Sequence, residues 1–200
     1  MTMKKFFSLL AIMVSAAMSL TSCHLIHDED MDISYTLSGD WKGDFGMYYD
    51  YYNRHGEYVE TFDCYDTDIR FVPDYKYATH GRGYQVDYYD FGPYKRLYHT
   101  FDWDVRNERI YLTYHGEREY DTVIRDYRMS SHYFEGYFST GSDKFKLVKL
   151  NDFYWDSHWG DYGYDGYYDG WAPTRSGEVT DSIPADLEGG TIRLGNRFAK

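Results

Sequence analysis

From Leu37 onward, apolar and polar positions alternate in short runs, with no stretch of sustained helical spacing. The clearest run is LYHTFDWDV, residues 97–105. Leu97, His99, Phe101, Trp103 and Val105 share one parity, and Tyr98, Thr100, Asp102 and Asp104 take the other. Successive side chains of a strand point to opposite faces, so this segment predicts one dry face and one wet face. Arg106, Asn107 and Glu108 form a tight turn. RIYLTYH follows with Ile110, Leu112 and Tyr114 in phase, which completes a hairpin.

The same period of two recurs on both sides. Upstream, GDWKGDFGMYY sets Trp41, Gly43, Phe45 and Met47 in phase, and YDTDIRF does so for Tyr65, Thr67, Ile69 and Phe71. THGRGYQVDYY places Gly81 and Gly83 on one face, where glycine marks a sharp bend or a close approach of sheet and side chain. Downstream come DTVIRDYRM, YFEGYF and KFKLVKL. Val123 and Ile124 are adjacent and apolar, so that strand is either buried on both faces or bulged. About eight strands with short connections, all neighbours in sequence, predict an all-β chain folded as a single up-and-down antiparallel barrel. Closure removes the edges that an open sheet this aromatic would present for aggregation. A barrel of this strand number either encloses one small ligand or fills itself with side chains.

Composition agrees with strands. The chain of 200 residues carries 25 Tyr, 12 Phe and 5 Trp, and rings of this kind pack well on a pleated surface. A formal net charge of −12 argues against nucleic acid as a partner, because a duplex repels an acidic surface. The N-terminus adds a different signal. Lys4 and Lys5 precede the uncharged run from Phe6 to Leu20, which is shorter than the ~20 residues a spanning helix needs. That is the layout of a secretory signal. LTSC, ending at Cys23, resembles the lipobox of bacterial lipoproteins, in which the cysteine is lipidated and becomes the first mature residue. The resemblance implies a signal peptide over 1–22, lipidation of Cys23 and a membrane partner reached through that anchor. Several acyl chains hold a protein far more firmly than one, at roughly 0.8 kcal/mol for each buried CH₂. His27 to Asp30, with Asp32 beyond, resembles the acidic tag that sends some Gram-negative lipoproteins to the outer face of the outer membrane. The competing reading of 23–36 is a solvated acidic spacer. The signal carries two lysines, so its loss takes the charge from −12 to −14. With Cys23 acylated, Cys64 has no intramolecular partner and reads as a small strand residue.

A second resemblance concerns the barrel. Leu37-Ser38-Gly39-Asp40-Trp41-Lys42-Gly43 is similar to the Gly-x-Trp signature that opens the lipocalin and avidin-like barrels. It implies a lipocalin-like barrel over 37–150 in which Gly39 and Trp41 are structural, the tryptophan plugging the closed end. The Thr-Asp turn and the C-terminal helix of that superfamily are not evident, so no ligand contacts carry over.

Chemistry is sparse. The eight His are scattered, without HExxH or paired metal spacing, and neither Ser-x-x-Lys nor Gly-x-Ser-x-Gly occurs. His99 lies on the dry face of the best strand, either as a site residue in a cavity or as a core histidine with one nitrogen bonded. His115 and His132 read as surface residues near strand ends. Asp63, Asp66 and Asp68 cluster, and Asp161, Asp165 and Asp169 could supply the oxygens calcium needs, but their spacing departs from the EF-hand and no Glu closes the loop, so that stretch reads as a solvated low-complexity segment. No enzyme, cofactor or metal is therefore expected. The extension over 151–200 reads as an irregular tail, although TIRL there has the pattern of one short strand. Its stretch DFYWDSHWGDYGYDGYYDGW sets rings beside acids and glycines, a composition suited to stacking on sugars. Trp155, Trp159, Tyr162 and Trp171 are, with His99, the candidate ligand contacts. The expectation is non-catalytic binding of a small molecule or glycan at the cell surface. The alternative is a structural subunit with a solid barrel, docked on an envelope protein.

Overall fold

The computed structural model describes residues 28–116, 122–153, 178–179 and 189–199. In chain order the elements are helix α1 (Asp28–Leu37) and strands β1 (Gly39–Asp44), β2 (Met47–Tyr52), β3 (Tyr58–Asp63), β4 (Asp66–Pro73), β5 (His80–Tyr88) and β6 (Tyr94–Arg106). They continue with β7 (Arg109–Tyr114), β8 (Thr122–Met129), β9 (Tyr133–Phe138), β10 (Lys144–Asp152), β11 (Glu178–Val179), β12 (Thr191–Asn196) and a 3₁₀ turn, Arg197–Ala199. Eight of the strands close an antiparallel barrel in the order β1-β4-β5-β6-β7-β8-β9-β10, with β10 returning to β1. These correspond to the eight segments that alternation picks out in the sequence.

The inward faces explain the alternation. Trp41, Ile69, Phe71, Phe101, Ile110, Ile124, Phe134, Phe138 and Phe145 are all 0% exposed. Rings meet edge to face, Phe71 with Phe101 at 5.5 Å and Phe134 with Phe145 at 4.9 Å between centroids. Such pairs add about 0.5–1.5 kcal/mol beyond the area they bury. A Cβ at Gly83 would fall inside the Phe101 ring, so the glycine on β5 is the space into which the ring on β6 leans. On β8 the register slips between Arg125 and Arg128, with Asp126 at φ 49°. Of the two options for that strand, the bulge holds, and it turns Tyr127 against the core.

Both barrel ends are covered, and neither cover shows in the alternation. At one end α1 replaces the expected spacer. Asp30 accepts the backbone amides of Asn107 (3.0 Å) and Glu108 (2.9 Å) in the β6–β7 turn. Trp41 Nε1 donates to the Leu37 carbonyl at 2.6 Å. Lys149 Nζ lies 5.0 Å over the Trp41 ring and donates to the Thr36 carbonyl at 2.7 Å. Trp41 is buried at this end, beneath α1, and Gly39 (φ 123°) begins β1 tight against Asn151 of β10.

The other end lies under a second sheet, ordered β12-β2-β3. The segment GDWKGDFGMYY, expected as one strand, is two. Asp44 Oδ1 accepts the Gly46 amide and Gly46 takes φ 77°, so the chain leaves the barrel before β2 begins. The tail is not wholly irregular: β12 pairs with β2 from Thr191–Tyr52 to Asn196–Met47, and β11 pairs with β6. Cys64 lies in the β3–β4 connection rather than on a strand, and it is buried among the core residues.

Candidate functional site

The inward face of the barrel is not uniformly apolar. At the end beneath the second sheet, β4, β5, β6 and β7 contribute Thr67, Gln85, Asp87, His99 and Tyr114. Asp87 has no exposed surface, and a carboxylate so placed needs donors around it. Thr67 Oγ1 donates to Asp87 Oδ1 at 2.7 Å, and Gln85 Nε2 lies 3.0 Å from both carboxylate oxygens. His99 Nε2 is 3.2 Å from Asp87 Oδ2, close enough for an ion pair but off the axis of a hydrogen bond. Tyr114 OH donates to Gln85 Oε1 at 2.6 Å. Cys64 Sγ donates to the Asp66 carbonyl at 2.8 Å and lies 3.5 Å from Thr67 Oγ1.

The electrostatics follow from burial. Desolvation first, and the Asp87 charge second, push the Cys64 thiol up to about 12, so at neutral pH the sulfur stays protonated and unreactive. The same two causes raise the Tyr114 hydroxyl well above 10.0. Thr67, Gln85, Asp87 and Tyr114 thus form a hydrogen-bonded network, beside which His99 Nε2 is left without a hydrogen-bond partner among the described residues.

Two clefts lined by described residues open on the outer surface. One, about 510 Å³, crosses the outward faces of β5, β6 and β7, where Asp102, Asp104, Tyr111 and Thr113 line it. Arg106 stacks on the Tyr111 ring at 4.1 Å. His80 Nε2 reaches Asp74 at 3.4 Å, and His115 Nε2 reaches Asp102 at 3.0 Å. Asp102 and Asp104 thus face outward, as parity predicts. The second cleft, about 480 Å³, lies beside α1, between the β6–β7 turn and the β8 bulge. Near the barrel wall, Lys42 Nζ sits 2.7 Å from Asp66 and 3.1 Å from Asp68, which occupies two of the carboxylates weighed as calcium ligands.

Of the residues singled out in the sequence, Gly39, Trp41 and His99 belong to this frame. Cys23, Trp155, Trp159, Tyr162 and Trp171 lie outside the described residues. The clefts and the polar network bring none of the surface histidines to His99. The centre of the network, Asp87, carries one sequence signal, a parity that matches Gly81 and Gly83 and places it inside. No family model matches the chain, and comparison with curated proteins and with solved structures finds no match.

Proposed function

We propose that this chain is a lipid-anchored, non-catalytic module of the bacterial outer membrane that acts through its outer surface, docking on another envelope protein. One observation carries the reading: Trp41, Phe71, Phe101, Phe134 and Phe145 point into the barrel at 0% exposure, so the space these rings line is filled by the chain itself. The anchor rests on LTSC at Cys23 and on the signal-like residues before it. The preference for a protein partner draws on β3, whose Tyr58, Val59 and Glu60 are exposed and which pairs on one side, with β2, among the described residues. A strand edge of this kind accepts a further strand from a partner.

The full chain in intact cells provides the test. A photo-reactive residue in place of Val59 should cross-link to one envelope protein in near-stoichiometric yield, and Cys23→Ala should release the chain from membranes. Cys23→Ala that stays membrane-bound, or a purified chain that carries a lipophile within its barrel by mass spectrometry, defeats the reading.

Glycan binding is a second reading, favoured by the β5–β7 cleft. Tyr111 there lies among Asp102, Asp104 and Thr113, a ring beside sugar-hydroxyl acceptors. Titrating the full chain against a glycan array separates the two: a hit abolished by Asp102→Asn supports the cleft.

A further inference from the structure

The cleft beside α1 concentrates costly backbone. Four non-glycine residues among those described have positive φ, and three of them, Asn107 (52°), Glu108 (58°) and Asp126 (49°), line this one cleft. Asn107 and Glu108 are the two central residues of the β6–β7 hairpin, a turn whose second position is most cheaply filled by glycine. This chain holds a glutamate there, fastened by Asp30 on both amides. Asp126 likewise takes the left-handed position in the β8 bulge. Strain alone is not a site, but the side chains it presents are suggestive.

Arg125 Nη1 pairs with Asp126 at 2.6 Å and is neutralised. Arg109 and Glu108 are both exposed and make no ion pair among the described residues, which leaves one free positive and one free negative group on the same cleft. Tyr127 also lines it. Its hydroxyl oxygen is shielded from solvent yet has no hydrogen-bond partner among the described residues, and Asp30 and Glu108 lie near enough to disfavour its ionisation further. A hydroxyl with no accessible surface is out of a ligand's reach, so the two unpaired charges are the polar contacts this cleft offers.

We infer that this cleft binds a small zwitterion, an ammonium group joined to a phosphate or carboxylate, with Arg109 on the anion and Glu108 on the N–H groups. A guanidinium matches the paired oxygens of a phosphate, and a carboxylate matches an ammonium. Two sources share this chemistry. One is a free solute such as O-phosphoethanolamine. The other is the headgroup of phosphatidylethanolamine: α1 starts at residue 28, five residues after Cys23, and five extended residues span at most about 18 Å. The headgroup arm rests on the lipid-anchor reading, whereas the free-solute arm does not.

The test uses the full chain in maltoside micelles. Calorimetric titration with O-phosphoethanolamine should saturate, and phosphocholine, which has no N–H, should bind about tenfold more weakly, the loss of one charged hydrogen bond. Arg109→Gln should weaken binding, and Tyr127→Phe, which removes a hydroxyl the ligand does not reach, should leave it unchanged. Glu108→Gly is the decisive variant, because glycine suits the turn: the melting temperature should rise while affinity falls about tenfold or more. Micelles doped with phosphatidylethanolamine or with phosphatidylglycerol separate the sources. Binding seen only with doped phosphatidylethanolamine assigns the cleft to the lipid, and binding of the free solute assigns it to the zwitterion in either form. If neither binds, or if Glu108→Gly raises stability and leaves affinity intact, the inference is wrong.

Discussion

A carboxylate with no exposed surface, such as Asp87, costs several kcal/mol to desolvate unless donors surround it. Thr67 and Gln85 supply those donors, and removing their acceptor strands both inside the barrel. Asp87→Ala should therefore cost about 3–5 kcal/mol in urea unfolding. Asp87→Asn keeps the shape but turns an N–H₂ toward one of these donors, so its loss should be smaller, about 1–3 kcal/mol. Equal losses for the two would mean that packing, not hydrogen bonding, sets the value of this position. On the next inward position but one, Gly83→Ala would drive a methyl group into the Phe101 ring. The ring is 0% exposed and has nowhere to go, so an overpacking cost of about 1–3 kcal/mol is expected in the same assay. Gly83 is legible from sequence, since a glycine inside an alternating run has few other uses. Asp87 is not, because a charged residue defaults to the surface and parity is the only counter-signal. His99 sits between: its face can be read, but its partner cannot, since β5 and β6 bring the two residues together only through their register.

At the scale of elements, the barrel strands were readable and their covers were not. Each barrel strand has one buried face, so apolar residues mark every second position. β2 reads MYYDYY, and Met47, Tyr48, Tyr49 and Tyr51 are all buried, because β2 lies between its neighbours and the barrel end. A segment buried on both faces has no alternation to detect. α1 escapes for a different reason. The residues it buries most deeply, Asp30, Ser34 and Leu37, do fall on one helical face, but two of the three are polar. Its grip comes from Asp30 on the β6–β7 amides, a contact that no hydrophobic pattern records. The tail offers a direct test. A chain ending at residue 188 lacks β12, so Leu194 no longer packs on the core and β2 loses one paired edge. Burial of Leu194 and the partly buried Ile192 contributes roughly 3 kcal/mol, which at this chain length is about 6–12 °C of melting temperature. An unchanged melting curve would show that the second sheet rests on β2 and β3 alone.

For the molecule as a whole, the property that ties these parts together is how many acidic hydrogens it keeps out of water. Burial raises the hydroxyls of Tyr49, Tyr88, Tyr114 and Tyr127 above 10.0, and raises the Cys64 thiol from 9.0 to about 12. All five belong to the barrel or its covers, so their protonation reports on the closed assembly. The unfolded chain releases these protons at the ordinary values, and the folded chain holds them to higher pH. Below the unfolded values both states are protonated and the full stability is present. As pH rises past 9 and then 10, the unfolded state alone loses protons, and stability falls until the folded values are reached. Tyr114, only 6% exposed, accounts for about 1.4 kcal/mol of that loss for each pH unit above 10.0. Urea unfolding should therefore be flat from neutrality to about pH 9 and decline steeply from pH 10 upward. Tyrosinate absorbance of the folded chain should include a late stage, in which the enclosed Tyr49, Tyr88, Tyr114 and Tyr127 ionise only as the fold gives way. The thiol adds an internal check, since Cys64 should resist alkylation in the folded chain until that same loss of structure. If all the tyrosines titrate together near 10 while circular dichroism is unchanged, water reaches the interior, and the filled barrel on which the surface-docking reading stands would have to be replaced by an open one.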